Sequence, residues 1–280
     1  MDFLQNTHGE PTGVEYGFLR AIEMLIKKYP EQDVVVCWDS PTNERRKEDP
    51  RYKANRSHKA GSEFFERLKR LRRFLRCYWS ECEVHGREAD DVMGALASTG
   101  SGHRIYTNDS DLLRVVNDSR DVKVVKSFQS KLFEWDETCV VKTYGVTPSL
   151  LTWFRAIVGD KSDNLDGAPR VSRTYLASLL SWLDASVPVS VPGWKQEILS
   201  GDWKPKELDA IKTHLESGKF DMNFQLMSLR CIDVADLKVT AHVYDELFIV
   251  ECLKRWEIKS LQLCKPLADK LTVEIEGEEF

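Results

Sequence analysis

The sequence lacks paired cysteines. Its seven (Cys37, Cys77, Cys82, Cys139, Cys231, Cys252 and Cys264) are odd in number and form no CxxC pair. A disulfide framework and a thiolate zinc site are therefore not expected, and the cysteines read as buried reduced thiols. It also lacks any apolar run near the ~20 residues of a membrane span. Its start, MDFLQNTHGE, has neither a basic n-region nor an apolar h-region, so no secretory signal is expected. Internal repeats and low-complexity tails are missing too. What is there is ordinary for a globular chain of 280 residues: 42% hydrophobic, 30% charged, with a formal net charge of −5.

That modest net charge hides a lopsided distribution. From Glu44 to Arg76 there are thirteen Lys/Arg against five Asp/Glu. A basic surface beside an acidic hole is one reading; a solvated Arg-rich helical face is the other.

Periodicity predicts an alternation of strands and helices. Residues 13–29 read as an amphipathic helix with Phe18, Ile22, Leu25 and Ile26 on one face. DVVVCW (33–38) reads as a buried strand. Residues 62–79 read as a helix, with Phe64, Leu68, Leu71, Leu75 and Tyr78 as its buried stripe. Strands at 82–85, 104–107 and 122–125 and helices at 88–98 and 110–116 follow. Beyond Thr147 the pattern is helical at 148–158, 173–183, 206–216 and 221–229, with a loop at 185–193. The expected fold class is α/β, Rossmann-like with a mostly parallel sheet, followed by a helical lobe. The domain boundary is expected between 1–147 and 148–280.

Carboxylates follow these strands. Asp39 ends the first; Glu88, Asp90 and Asp91 open the helix after the second; Asp109 and Asp111 follow the third; GDKSDN adds Asp160 and Asp163. In a parallel sheet the carboxyl ends of strands share one edge, where ligands bind. Any one of these acids reads equally well as a helix cap. The set does not: two carboxylates ~5 Å apart repel by about 3 kcal/mol at an effective dielectric of 20. Arg87 is the one arginine that a motif places beside them. Hard divalent cations are the economical compensation, and two such ions suit phosphoryl chemistry. RRKEDPRYKANR, starting beyond Asp39, brings Arg45, Lys53 and Arg56 as candidate phosphate contacts. Tyr52 among them reads either as a base-stacking ring or as local packing.

Five blocks in order (VVVCWDS, RRKEDPRYKANR, READDVMGALA, YTNDSDLL, GDKSDNLDG) with a later NFQLMSLRCIDV make the chain resemble the structure-specific 5′ nucleases. These are flap endonucleases and 5′→3′ exonucleases, and the likeness is greatest to stand-alone bacteriophage members and to the nuclease domain of bacterial DNA polymerase I. It spans about residues 6 to 235. The resemblance implies a PIN-like, two-metal phosphodiesterase using Mg²⁺, or Mn²⁺, and leaving 5′-phosphate and 3′-hydroxyl ends. Glu88, Asp90, Asp91 and Asp109 match one group of metal ligands. Asp111, Asp160 and Asp163 match the second, and Asp39 matches a further core acid. Lys53 and Arg56 match the basic pair at the foot of a helical arch, and Arg45 an earlier arginine. The segment after GDKSDN corresponds to a helix–three-turn–helix motif that holds duplex DNA. Arg46, Tyr52, Arg170, Ser172 and Arg173 are the expected DNA contacts.

The implied partner is flap, nicked or 5′-tailed DNA, or an RNA–DNA hybrid, handled by a monomer in the cytoplasm of a bacterium or phage-infected cell during replication or repair. Two alternatives stand beside this. One is a family member that grips junctions without cutting; the other is a toxin-like ribonuclease of related topology. Two departures from the family pattern stand out. Arg170 and Ser172 sit where a glycine-rich turn is usual. The family also opens with an apolar strand ending in Asp-Gly, whereas this chain begins at what resembles the next segment, NTHGEPTGVEYGFLRAI, so low stability and weak cleavage are expected of residues 1–280 alone.

Overall fold

The computed structural model describes residues 4–54, 61–186, 190–200, 206–258 and 261. In chain order its main elements are α1 (Gly13–Lys28), β1 (Val35–Cys37), α2 (Glu44–Glu48), α3 (Ser62–Arg76), β2 (Ser80–Cys82), α4 (Ala89–Ser98) and β3 (Arg104–Tyr106). Then come β4 (Lys123–Phe128), β5 (Lys131–Trp135), α5 (Glu137–Tyr144), α6 (Leu151–Val158), β6 (Gly159–Asp160) and β7 (Leu165–Asp166). Helices α7 (Arg173–Ser186), α8 (Val191–Ser200), α9 (Lys206–Glu216), α10 (Lys219–Met227) and α11 (Glu246–Trp256) complete it. The class is α/β, mostly helical with small sheets.

β1 pairs with β2 and β3 with β4, both in parallel; β5 adds to β4 antiparallel, and β6–β7 is a short antiparallel hairpin. The expected strand at 82–85 lies instead at Ser80–Cys82, because the chain turns at Gly86 with φ +77°. The expected helix at 110–116 is a 3-10 turn over Asp111–Val115. Sequence reading missed β5, α5, α8 and α11, and α8 starts inside the expected 185–193 loop.

The chain divides into two compact units along lines other than residue 147. One comprises Met1–Cys37, His58–Cys82 and Lys238–Phe280. Here α3 buries Leu71, Phe74 and Leu75, and the Phe74 ring lies edge-on to Trp256 of α11, 4.9 Å between centroids. Leu19 and Ile22 are the buried residues of the α1 stripe, while Phe18, Leu25 and Ile26 stay half-buried. The basic helix α3 does not present a uniformly unpaired face. Arg67 donates to the buried Glu15, Arg72 to Glu81 and Arg73 to Asp245. Ion pairs thus partner three of the cations on this helix.

The other unit comprises Trp38–Ser57 and Glu83–Leu237. Its core joins Ile105 and Val124 of the three-stranded sheet to Leu112 and Leu113 and to the helices after α5. Trp153 of α6 anchors the helical part, 4.9 Å from Trp194 and 4.8 Å from Phe220 between ring centroids. The Ala156 carbonyl near the end of α6 accepts from Asn223 Nδ2 and contacts His214 Nε2. Asn223 also donates to the Asp166 carbonyl, so α10 clamps both ends of the loop that follows α6.

Candidate metal and phosphate site

All described candidate acids lie in the second unit, in four segments at element ends. The first group gathers at the start of α4. Glu88 is its N-cap, and Glu88 and Asp91 form a reciprocal capping box. Four donors converge on the Glu88 carboxylate: Asn43 Nδ2 at 2.7 Å, Lys53 Nζ at 2.8 Å, Arg45 at 3.0 Å and Tyr52 Oη at 3.3 Å. The segment following Asp39 therefore folds back over α4. Asp39 is exposed and accepts from the Ala89 amide at 2.7 Å, helping to cap the same helix.

Three expectations need correction here. Asp91 is fully buried, with both oxygens engaged by Arg45 at 2.6 Å and one also accepting from the Arg230 amide. Burial would raise its pKa, but Arg45 holds it below the usual range. It is an ion-pair partner with no oxygen turned to solvent, not the metal ligand expected. Arg45 is 4% exposed, and it also donates to the Leu226 and Ser228 carbonyls. It is a buttress under the acids, not a phosphate contact. Tyr52, also 4% exposed, is part of the core and is not available to stack on a base.

Lys53 lies against Glu88. Its side chain is mostly buried, with Nζ on Glu88 and 4.8 Å from the Tyr52 ring centroid. Its φ is +55°, a left-handed conformation that costs a non-glycine residue of order 1–3 kcal/mol. The Lys53 amide donates to the Asp163 carbonyl at 3.1 Å, which ties this strained residue to the GDKSDN loop. Arg56 lies outside the described residues. Arg46 is half-buried.

Asp90 is half-buried beside these groups and is pushed up to about 7 by burial and then by the Asp109 carboxylate; Lys53 opposes the shift. Asp109 is exposed and accepts from the Asp111 amide at 2.8 Å. Burial raises Asp111 as well, against the pull of Arg155 and Arg114.

The second group is tighter. Asp111, Asp160 and Asp163 each offer an oxygen within 4.8 Å of the others, a set able to hold a metal ion. The backbone explains the crowding. A Cβ on Gly167 would lie 2.0 Å from the Val158 carbonyl oxygen, and one on Gly159, at φ +80°, 2.3 Å from the Gly167 amide nitrogen. Only glycine lets the two ends of the 159–167 loop meet this closely. Asp160 accepts from the Ser162 amide and hydroxyl at 2.8 and 2.7 Å. Burial would raise its pKa, but Ser162 and the Arg155 charge keep it low.

Compensating arginines are present, and adjacency in sequence concealed them. Arg155 bridges Asp111, at 2.7 Å, and Asp160. Arg114 lies near Asp111 and donates to the Met227 carbonyl. Arg87, the one cation sequence placed beside the acids, pairs with Glu44 instead. Lys126 was also missed. Its Nζ donates to Ser110 Oγ at 2.8 Å, between Asp109 and Asp111, and burial depresses its pKa. A signal existed only in the alternation of β4, which puts Lys126 on the face of Val124.

Arg170, Ser172 and Arg173 lie at the entry to α7, all exposed. Arg170 has φ +60°, so this backbone keeps the left-handed shape that glycine normally supplies. The Leu176 amide donates to the Ser172 carbonyl, starting the helix.

Residues 1–145 match the sequence model of the family described as 5′-3′ exonuclease, N-terminal resolvase-like domain. The chain is 29% identical over 277 residues to the DNA polymerase I of Synechocystis sp. (strain ATCC 27184 / PCC 6803 / Kazusa), covering 92% of this chain and 27% of that protein. It is 35% identical over 183 residues to the 5′-3′ exonuclease of Aquifex aeolicus (strain VF5), covering 63% of this chain and 62% of that one. It thus matches about a quarter of the length of the first and three fifths of the second. Among solved structures, the T5 D15 protein co-crystallised with metal ions superposes with a TM-score of 0.63 at 19% identity, over 94% of this chain and 92% of that one. The catalytic core of Rad2 in complex with DNA substrate gives 0.58 at 16% identity, over 95% and 87%. These likenesses establish the PIN-like fold of the 5′ nucleases.

Proposed function

Because the chain belongs to the 5′-3′ exonuclease family built on the N-terminal resolvase-like domain, we propose that it is a metal-dependent 5′-3′ exonuclease or flap endonuclease. The observation that carries this reading is the pairing of two acidic groups in one unit: Glu88, Asp90 and Asp109, and Asp111, Asp160 and Asp163. The donors are all carboxylate oxygens. That set fits a hard cation such as Mg²⁺ or Mn²⁺ and does not suit soft metals.

Asp111, Asp160 and Asp163 would hold one ion, and Asp90 and Asp109, with Glu88 behind them, a second. Bound divalent ions supply the Lewis acidity that activates water and neutralises charge building on a phosphodiester. The protein's own contribution is positioning. Arg45 fixes α4 through Asp91 and Glu88. Arg155 sets the spacing of Asp111 and Asp160. Asp39 steadies the first turn of α4. Lys53, held on Glu88 in a strained backbone, is placed to meet the scissile phosphate where charge develops. Arg56 joins it on the strength of the sequence motif. Arg46, Arg170, Ser172 and Arg173 would contact DNA phosphates.

The substrate we favour is flap, nicked or 5′-tailed DNA, with RNA–DNA hybrids included, handled by a monomer in the cytoplasm during replication or repair. The relatives named above support this: one is a 5′-3′ exonuclease and one is a Rad2 core bound to DNA. No described helix is long and apolar enough to cross a membrane. The test uses a 5′-labelled flap duplex. Cleavage in Mg²⁺ and binding without cleavage in Ca²⁺ are expected. Tight binding with no product in Mg²⁺ or Mn²⁺ would leave a junction-binding protein that does not cut.

A further inference from the structure

The β4–β5 hairpin leaves two aromatic rings in water. Phe128 is 64% exposed and Phe133 47%. The ladder sets Lys126 opposite Phe133 and Phe128 opposite Lys131. Side chains alternate across a strand, so these four residues share one face. The turn between them is tight: Gln129 and Ser130 have φ of +47° and +61°, the two-residue arrangement that matches strand twist. The rings are therefore carried by a stiff element.

The inner end of the hairpin is wired to the acidic site through both of its faces. Lys126 donates to Ser110 Oγ, between Asp109 and Asp111. The Ser127 amide donates to Asn108 Oδ1 at 2.9 Å, and Asn108 Nδ2 donates back to Ser127 Oγ at 3.2 Å. Moving outward from the carboxylates, the surface thus runs from acid to lysine to aromatic rings flanked by a second lysine.

We propose that this hairpin face seats unpaired nucleobases of the DNA beside the acidic site, with Phe128 and Phe133 stacking on bases and Lys131 meeting an adjoining phosphate. The proposal rests on the nuclease reading given above. A folded protein partner fits the patch less well. Two aromatic side chains offer at most ~500 Å², against roughly 800 Å² per partner in a standard interface. A base presents a flat π-face of matching size, and the lysines on the same face suit its phosphates.

The test places 2-aminopurine in the 5′ tail next to the duplex junction, with Ca²⁺ to hold binding apart from cutting. Stacking should quench its fluorescence on the wild-type protein. Phe128→Ala and Phe133→Ala should lose the quench and weaken binding of tailed DNA by about 5- to 150-fold, the range of one base–aromatic stack. Binding of blunt duplex should stay unchanged. Phe128→Tyr should retain the quench. Phe128→Leu keeps the apolar bulk without the flat ring and should lose it, even if an alanine variant folds poorly. Lys131→Gln should reduce the salt slope of binding by about one. Alanine and leucine variants that quench and bind like the wild type, while the wild type still cuts tailed DNA, overturn the proposal. A wild-type protein that neither binds nor cuts tailed DNA overturns the nuclease reading instead.

Discussion

Two neighbouring aspartates, Asp90 and Asp91, separate structural from chemical roles. Asp91 is locked to Arg45 without access to water, whereas Asp90 faces other carboxylates and is raised to about 7. Asp91→Asn should therefore act on stability. It removes the bidentate partner of the buried Arg45 guanidinium and leaves Glu88 as its one counter-charge, a loss of up to about 3–5 kcal/mol, readable as a lower urea midpoint with or without Mg²⁺. Asp90→Asn should fold well, bind DNA and fail to cut. The pH dependence has a definite sign. Below about 7 the metal-free Asp90 carries a proton that a cation must displace. Mn²⁺ affinity should thus climb as pH rises towards 7 and flatten above it, while Asp90→Asn binds weakly with little slope. Calorimetric titration across pH 5.5–8 would check this, and an unchanged slope in the variant would remove Asp90 from the site. Sequence placed both residues in one motif and could not part them. What distinguishes them is Arg45, 46 positions away from Asp91, reaching α4 from below.

At the scale of elements, the 159–167 loop shows which parts of a fold short motifs reveal. GDKSDNLDG announced Asp160 and Asp163, and periodicity found α1, α4, α7, α9 and α10 to within a few residues. The clamp that holds the loop was not legible, because it comes from His214 and Asn223 meeting the carbonyl of Ala156 across 58 and 67 residues. β5 and α5 were missed because KLFEW and ETCVVKTY are short and mixed in pattern. They become clear only when the hairpin turn pairs β5 with β4. The clamp makes a prediction about acid stability. Burial lowers the His214 pKa below its ordinary value, so the native ring stays neutral while the unfolded ring takes a proton below about 6.5. Its contribution is present above that pH and is lost as pH falls through the native pKa. Urea midpoints at pH 7.5 and 5.5 should drop more for wild type than for His214→Gln, which keeps an amide donor but does not titrate. Equal drops would show that the ring is not protonated on unfolding in this range.

At the scale of the molecule, every described candidate acid belongs to one compact unit, although the chain passes between the two units four times. Sequence reading placed the division near residue 147, where composition turns helical. Tertiary pairing does not follow composition: α11 joins α3, and Glu81 bridges to Thr240. A ligand that binds only the folded site stabilises by RT ln(1 + [L]/Kd), or about 2.7 kcal/mol at a hundredfold excess over Kd. That gain should appear where openings expose the site. Metal should relieve the repulsion between Asp90 and Asp109 and cross-link the three segments that carry its ligands. The unit that holds α1, β1, α3, β2 and α11 has none of these groups. Hydrogen exchange with Mg²⁺, compared with chelator, should slow amides of α4, of the Asp109–Asp111 turn and of the 159–167 loop most. Amides of α1, α3 and α11 should change little, because their sub-global openings leave the carboxylates in place. An equal slowing in all of these elements would mean that the two units open only together, and would move the stabilising effect of metal from a local site to the whole chain.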